Sequence, residues 1–485
     1  MIDGRLLIEK LLNYGTACLE LADYDVAVKR NLLRHVFRLF DGEIPQFKGS
    51  VNLNQLKDDV SRYACENNLV GEGDEVGFVN FVLGLLLPLP SVVNKKFRTM
   101  REQFGASAAC GYLRSLSVCA SCIDDYDCKN GLDRYCSDNG VEVLIPNENY
   151  RSYSVKGDGC CLCAESEGAF DTKGLCGSLR NVSLILNSRP WHMHYVNSLS
   201  RSEECLISSD DHSFNDVTES TIVSMLDFVE YIPDYSITVT NDLDKRGVYS
   251  KEHDHFVAGR FSPALFEAKP TFSGVCTVYP DVEVSVYNNS ISSIRLQSFN
   301  RNTLERLAVD VVEAWASYKD DSMGIFGMGA DGNSRNKVTL CARYGADNRY
   351  CIDLILTCDK ASYAYSEGDF TVFDSFADFG SLFGRFVVDG SFKKVLEMIF
   401  AVLTKKIPMD DSLFTEGNVL FGYKATVEAI IHDNGYFRDA QRAEPSVKKA
   451  LCDGFTDALL KMAAFFPGDD GNRAFKKFLA EVNVR

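Results

Sequence analysis

Two cysteines spaced by two residues and two histidines spaced by one are the features of this 485-residue chain that carry chemistry most directly. Cys160 and Cys163 form a C-x-x-C within CCLC (160–163), a spacing that lets two thiolates grip one metal ion from a tight turn. His253 and His255 form an H-x-H in KEHDHF (251–256), and alternation along a strand puts both rings on one face. His212 follows the apolar run CLI (205–207), inside SSDDHSF (208–214). A fold that joins Cys160, Cys163, His212 and His253 makes a tetrahedral Cys2His2 zinc site, one ion per chain, with His255 left beside it. The plainer alternatives are thiols buried at a strand end and a hydrogen-bonded pair of surface histidines. A histidine fixed next to a structural metal suits attack on phosphorus. One imidazole nitrogen attacks, and the other donates its proton to a backbone carbonyl, which selects the tautomer.

Composition narrows the field. The chain has 68 acidic and 51 basic residues, a formal charge of −17, which argues against nonspecific nucleic-acid binding. A hydrophobic fraction of 46% and a charged fraction of 25% are those of a globular protein. There are 17 cysteines but only 7 histidines, so histidine chemistry has few places to reside. The N-terminal stretch is broken by Asp3, Arg5, Glu9 and Lys10, unlike a signal peptide. The most apolar stretch, 76–87, stops at Pro88 and Pro90, short of the ~20 residues a bilayer span needs. The expectation is a cytoplasmic protein, without membrane partners, whose thiols stay reduced.

The elements that must position these residues divide into four stretches. Residues 1–140 are expected to be mainly helical, with apolar residues at helical spacing through Leu32, Leu33, Val36 and Phe37 and again through Leu53, Leu56, Val60 and Tyr63. Residues 141–275 carry short β-branched runs such as VEVLI (141–145), VSLIL (182–186) and ITVTN (237–241), which read as strands. A helix lies among them, capped by Asp216 or Thr218 and ended by Pro233. Residues 276–385 repeat the mixture, with a helix over 303–318 and a strand pair, VTLCARY (338–344) and YCIDLIL (350–356), turning at 345–348. Residues 386–485 are expected to be helical again. A strand–helix–strand arrangement occurring twice is suggested, although no sequence repeat is visible.

With these pieces in order, the chain resembles the UDP-glucose–hexose-1-phosphate uridylyltransferases, the galactose-1-phosphate uridylyltransferases, of the long bacterial class. The likeness runs through VLGLLLPLPSVV (82–93), CCLCAESEG (160–168), RNVSLILNSRPW (180–191), CLISSDDHSF (205–214), LDFVEYIPDY (226–235), TNDLDKRGVYSKEHDHFVAGR (240–260), SSIRLQS (292–298), VTLCARY (338–344) and FFPGDDGNRAFKKFL (465–479). The resemblance implies an α+β fold related to the histidine-triad proteins: an antiparallel sheet with flanking helices, plus N-terminal and C-terminal helical regions. It implies a ping-pong transfer of a uridylyl group from UDP-glucose to galactose 1-phosphate through a uridylyl-histidine intermediate. His255 stands at the nucleophile position; Cys160, Cys163, His212 and His253 stand at the zinc positions. Asn241 matches an asparagine that contacts the nucleotide. Relatives are often dimers, so a homodimer is expected, with UDP-glucose and a hexose 1-phosphate as the small-molecule partners.

Departures from the family pattern leave alternatives open. Val257 stands where the family has a glutamine whose amide donates to the phosphoryl oxygens; losing one such donor typically costs about 10²–10³ in rate. Glu204 and Arg335 replace histidines, Arg246-Gly247 replaces a glycine pair, and the histidine-rich stretch is missing from 363–373. The chain is thus a transferase, a zinc-stabilised UDP-sugar-binding relative without turnover, or a transferase using another nucleotide. Arg260, Arg295 and Arg343 are candidates to neutralise an anionic ligand. Cys119, Cys122, Cys128 and Cys136 form a second thiol cluster, for which scattered thiols are the better reading. His192 and His194 in PWHMHY (190–195) are expected to pack against aromatic edges, and GIFGMGADG (324–332) to be a surface turn.

Overall fold

The computed structural model describes residues 2–40, 42–123, 132–137, 140–146, 160, 162–170, 176–198, 201–213, 216–242, 253–288, 290–329, 332, 334–358, 373, 380–388 and 390–485. Six helices come first: α1 (Gly4–Cys18), α2 (Val26–Val36), α3 (Leu53–Glu66), α4 (Glu75–Leu86), α5 (Pro90–Phe104) and α6 (Ala106–Cys119). The Asp3 carboxylate starts α1 by accepting from the N–H groups of Arg5 and Leu6, and the prolines after Leu87 stop α4 and open α5. No single described helix is long and apolar enough to cross a membrane.

Two sheets follow. β1 (Leu132–Cys136) and β2 (Glu142–Pro146) join a later strand, β13 (Arg385–Val387), in a small three-stranded sheet. The large sheet has ten strands: β3 (Val182–Leu186), β4 (Arg189–Tyr195), β5 (Ser202–Ser208), β6 (Ser236–Thr240), β7 (His255–Arg260), β8 (Phe272–Val275), β9 (Glu283–Tyr287), β10 (Ser293–Ser298), β11 (Asn336–Tyr344) and β12 (Tyr350–Cys358). Helix α7 (Glu219–Tyr231) lies between β5 and β6 in the chain, and α8 (Arg301–Ser317) between β10 and β11. Thr218 caps α7 through a reciprocal bond with Thr221, a feature worth about 1 kcal/mol. Four helices close the chain: α9 (Phe392–Leu403), α10 (Lys424–Asn434), α11 (Ala440–Met462) and α12 (Asp469–Glu481). The fold class is α+β, as the sequence indicates.

The spatial order of the large sheet is β3-β4-β5-β7-β6-β11-β12-β10-β9-β8, antiparallel throughout. Each half has three strands, a helix and two strands, and the halves meet head to head at β6 and β11. The suggested duplication is therefore real in structure. The β8 edge is covered by backbone pairing and the β3 edge is partly covered by a side chain. Asn94 of α5 accepts from the Ser183 N–H and donates to the Asn181 carbonyl along β3, and residues 484–485 pair with β8. Such cover reduces the unpaired edge groups that would recruit other strands.

Strand alternation gives the sheet two unlike faces. One, with Trp191, Met193, Ile207, Phe256, Ile237, Val239, Leu340 and Leu354, packs on the helices in the larger core. The other carries a row that crosses eight strands: His194, Leu206, Val257, Thr238, Cys341, Asp353, Arg295 and Ser285. The parallel row beside it runs His192, Ser208, His255. A second core, built from α9–α11 with Tyr135, Val143, Cys341 and Ile355, covers much of this polar face.

Candidate active site and metal centre

Ligand atoms of Cys160, Cys163, His212 and His253 all lie within 4.8 Å of one another. Cys160 Sγ is 3.2 Å from His253 Nδ1, Cys163 Sγ is 3.2 Å from His212 Nε2, and Cys163 Sγ is 3.9 Å from His253 Nδ1. A tetrahedral zinc with bonds of about 2.3 Å to sulfur and 2.0 Å to nitrogen has ligand–ligand edges of about 3.5 Å, so the four atoms fit that ion. Local structure explains how they meet. The Cys163 N–H bonds to the Cys160 carbonyl and closes a tight turn. Ser208 Oγ, at the end of β5, donates to the carbonyl of Leu162 and fastens that turn to the sheet. His253 Nε2 donates to the Ser209 carbonyl at 2.7 Å, which leaves Nδ1 as the ligand atom.

The thiols are electrostatically prepared for a cation. Burial opposes a thiolate at Cys160, but the hydrogen bond with His253, helped by the Leu162 backbone and Cys163, outweighs it and brings the thiol down to about 6. Burial, and then the negative charge on Cys160, push Cys163 up to about 12. A second thiolate at Cys163 therefore needs a positive ion beside it. Among the described residues, this is the only group of three or more such side chains that could hold a metal.

His255 is the first residue of β7 and is buried. Its Nδ1–H donates to the His253 carbonyl at 2.8 Å, so the lone pair belongs to Nε2. Burial lowers its pKa to about 4, the neighbouring His253 adding to the effect and the carbonyl opposing it. The imidazole is neutral at neutral pH, the form able to attack an electrophile.

The comparison with curated proteins decides the kinship. A galactose-1-phosphate uridylyltransferase from Caldanaerobacter subterraneus is 26% identical over 518 aligned positions, spanning 100% of this chain and 99% of its own. One from Clostridium perfringens is 24% identical over 100% of both chains, and one from Butyrivibrio fibrisolvens is 26% identical over 58% of this chain and 76% of its own. The chain is a divergent relative of the galactose-1-phosphate uridylyltransferases. No protein-family model matches it, and no solved structure does.

In this uridylyltransferase relative the other candidate residues fall into three groups. Asn241 follows β6, and its side-chain oxygen accepts from the Val338 N–H at 2.8 Å, which leaves the amide NH2 as the donor. Arg295 and Arg343 share the polar face with His255 but stand apart from it. They clamp Asp353 from both sides, Arg295 Nε at 2.6 Å and an Arg343 terminal nitrogen at 3.2 Å. Arg295 sits four strands from β7, about 19 Å at the usual strand spacing. Arg260, five residues after His255, faces the opposite side. It pairs with Glu203 and Asp234 and donates to Ser107 Oγ on α6, so the structure does not bring it to His255.

Three side chains on the His255 face escape the sequence reading. His192 and His194 face away from Trp191 and Tyr195, which lie on the opposite side of β4. His192 Nε2 lies 3.1 Å from Asp210 Oδ1, and the buried His194 donates from Nδ1 to Asn181 Oδ1 at 3.0 Å. Arg201 is 2% exposed, donates to Thr238 Oγ1 at 2.8 Å and lies 3.6 Å from Glu204. Parity along β4 would have placed the histidines. Nothing in RSEEC marks Arg201 as buried, because a bulge between Ser202 and Cys205 sets its direction. In the thiol cluster, Cys136 is exposed on β1 and Cys122 is buried after α6, while Cys128 lies outside the described residues. The loop 243–252 and the segment 363–372 also lie outside them.

Proposed function

We propose that this chain is a nucleotidyltransferase that moves a uridylyl group from UDP-glucose to galactose 1-phosphate through a uridylyl-His255 intermediate. The observation that carries the proposal is His255 itself: a buried, neutral imidazole whose Nδ1–H is committed to the His253 carbonyl. His255 Nε2 attacks the α-phosphorus of UDP-glucose. An N–P bond forms, the P–O bond to the sugar phosphate breaks, and glucose 1-phosphate leaves. The phosphate of galactose 1-phosphate then attacks the same phosphorus, breaks the N–P bond and yields UDP-galactose. Positive charge that develops on the ring is shared with the His253 carbonyl through Nδ1–H. Asn241 is the candidate nucleotide contact, whereas Arg295 and Arg343 are committed to Asp353 away from His255.

Cys160, Cys163, His212 and His253 would hold one zinc ion. When bound it stiffens the turn and the end of β7, a structural contribution. The chain's own residues do the rest: they orient His255, fix its tautomer and shield it from water. Intact-protein mass after incubation with UDP-glucose tests the transfer. The expected result is a mass increase of one uridylyl group, absent in His255→Ala; no adduct at millimolar donor refutes it.

Val257 favours one second reading, binding without turnover, because an isopropyl group offers no donor to a phosphoryl oxygen. Calorimetry would then show UDP-sugar binding without exchange of labelled glucose 1-phosphate, and any exchange rejects it. Full-length kinship with named transferases supports the first reading.

A further inference from the structure

Val257 lies between a polar neighbour, Thr238 on β6, and an apolar cluster on the β5 side. Its side chain is clustered with Leu162, Val196 and Leu206, apart from both large cores, with Cys160 packed alongside. Leu162, Val196 and Leu206 are at most 4% exposed, and Val257 is 6% exposed. Leu206 is the direct cross-strand partner of Val257. Leu162 comes from the turn between Cys160 and Cys163. One turn therefore reaches residues on both sides of His255. It meets His253 through Cys160, and Leu162 joins the apolar cluster that holds Val257.

We propose that Val257 is a positioning residue that fastens the cysteine turn onto β7, so that the turn straps down the strand on either side of His255. The proposal rests on the zinc reading given above, because the first fastening is the metal at His253. The second fastening is apolar. Leu162 packs from the turn into the cluster with Leu206 and Val257, while Ser208 Oγ holds its carbonyl. On the β6 side Val257 faces Thr238, but on the β5 side polar atoms at position 257 would displace the apolar contact with Leu206 and Val196, which burial penalises. The exchange of an amide for an isopropyl group thus gives up a phosphoryl donor and gains a contact that holds the metal turn. Groups that support metal ligands from behind typically alter metal affinity by about 10–100-fold when removed.

The test is zinc release from the full-length, zinc-loaded protein into a chromogenic chelator, with no substrate present. Val257→Ala and Leu162→Ala should each speed release about tenfold. The double variant should be little faster than either, because both remove one contact. Ile294→Ala, in the larger core, controls for general destabilisation and should release zinc at the unaltered rate. Val257→Thr keeps the shape, folds if the alanine variant does not, and should release zinc faster than the parent. Release within twofold of the parent in the Val257 variants overturns the proposal, as does an equal acceleration in Ile294→Ala. A chain that takes up no zinc overturns the metal reading and this one with it. Absence of a uridylyl adduct alongside the expected release pattern refutes the transferase reading alone.

Discussion

His194 should make the protein acid-sensitive, and the size of the effect follows from its burial. The side chain is enclosed, and burial first, then the facing imidazoles of His192 and His255, lower its pKa from 6.5 to about 3. The folded chain keeps His194 neutral while the unfolded chain takes up a proton below about 6.5. Stability therefore falls as pH drops through 6.5 and goes on falling until about 3. At about 1.36 kcal/mol per pH unit, the loss is about 2 kcal/mol at pH 5 and about 5 kcal/mol in full. His194→Gln keeps a donor for Asn181 and does not titrate. Urea unfolding, followed by Trp191 and Trp315 fluorescence, should show the parent losing about 2 kcal/mol more than the variant between pH 7 and pH 5. An equal loss in both proteins would refute the reasoning, since His192 and His255 remain in each.

Three further outcomes are expected. Asp353→Ala leaves Arg295 and Arg343 facing each other without their shared carboxylate; thermal unfolding should show a loss of about 3–5 kcal/mol, and a loss below 1 kcal/mol would mean that water or another carboxylate takes its place. Gly84→Ala puts a methyl group 1.8 Å from the Gly177 carbonyl oxygen, so α4 must move; a melting point unchanged within a degree would contradict the close approach. Stripping the metal with dipicolinate at pH 7 should leave the far-ultraviolet circular dichroism unchanged, because both large cores are built without the site. Collapse of the spectrum would make the ion essential to folding.

Much of the architecture was legible because alternation and helical spacing act locally. The hairpin of β11 and β12, the cap at Thr218 and the stop at Pro88 all depend on residues a few positions away. The candidate site was legible for a different reason: C-x-x-C and H-x-H spacings are short-range, and few histidines compete. What failed came from strand parity passed over and from a bulge. Arg260 shares β7 with His255, and counting five residues already puts it on the other face, so parity had more to say than charge. The same count along β4 turns His192 and His194 away from Trp191 and Tyr195. Arg201 needed a bulge, which resets the count where Glu203 takes φ 56° and crosses β7 at Gly259.

The seam between the half-sheets bears on how the chain reaches its fold. Within each half the residues paired between strands lie no further apart in sequence than Ser293 and Ile355, but at the seam Thr240 meets Thr339, a much longer separation. Contacts of that separation close late, since loop closure costs entropy before the pairing repays it. The expected order of events is two half-sheets forming separately and zipping at β6 and β11. Until they do, each carries a bare strand at its inner margin. Synthesis delivers β6 well before β11 exists, so the first half must wait with that margin open, the stage at which a chaperone has most to protect.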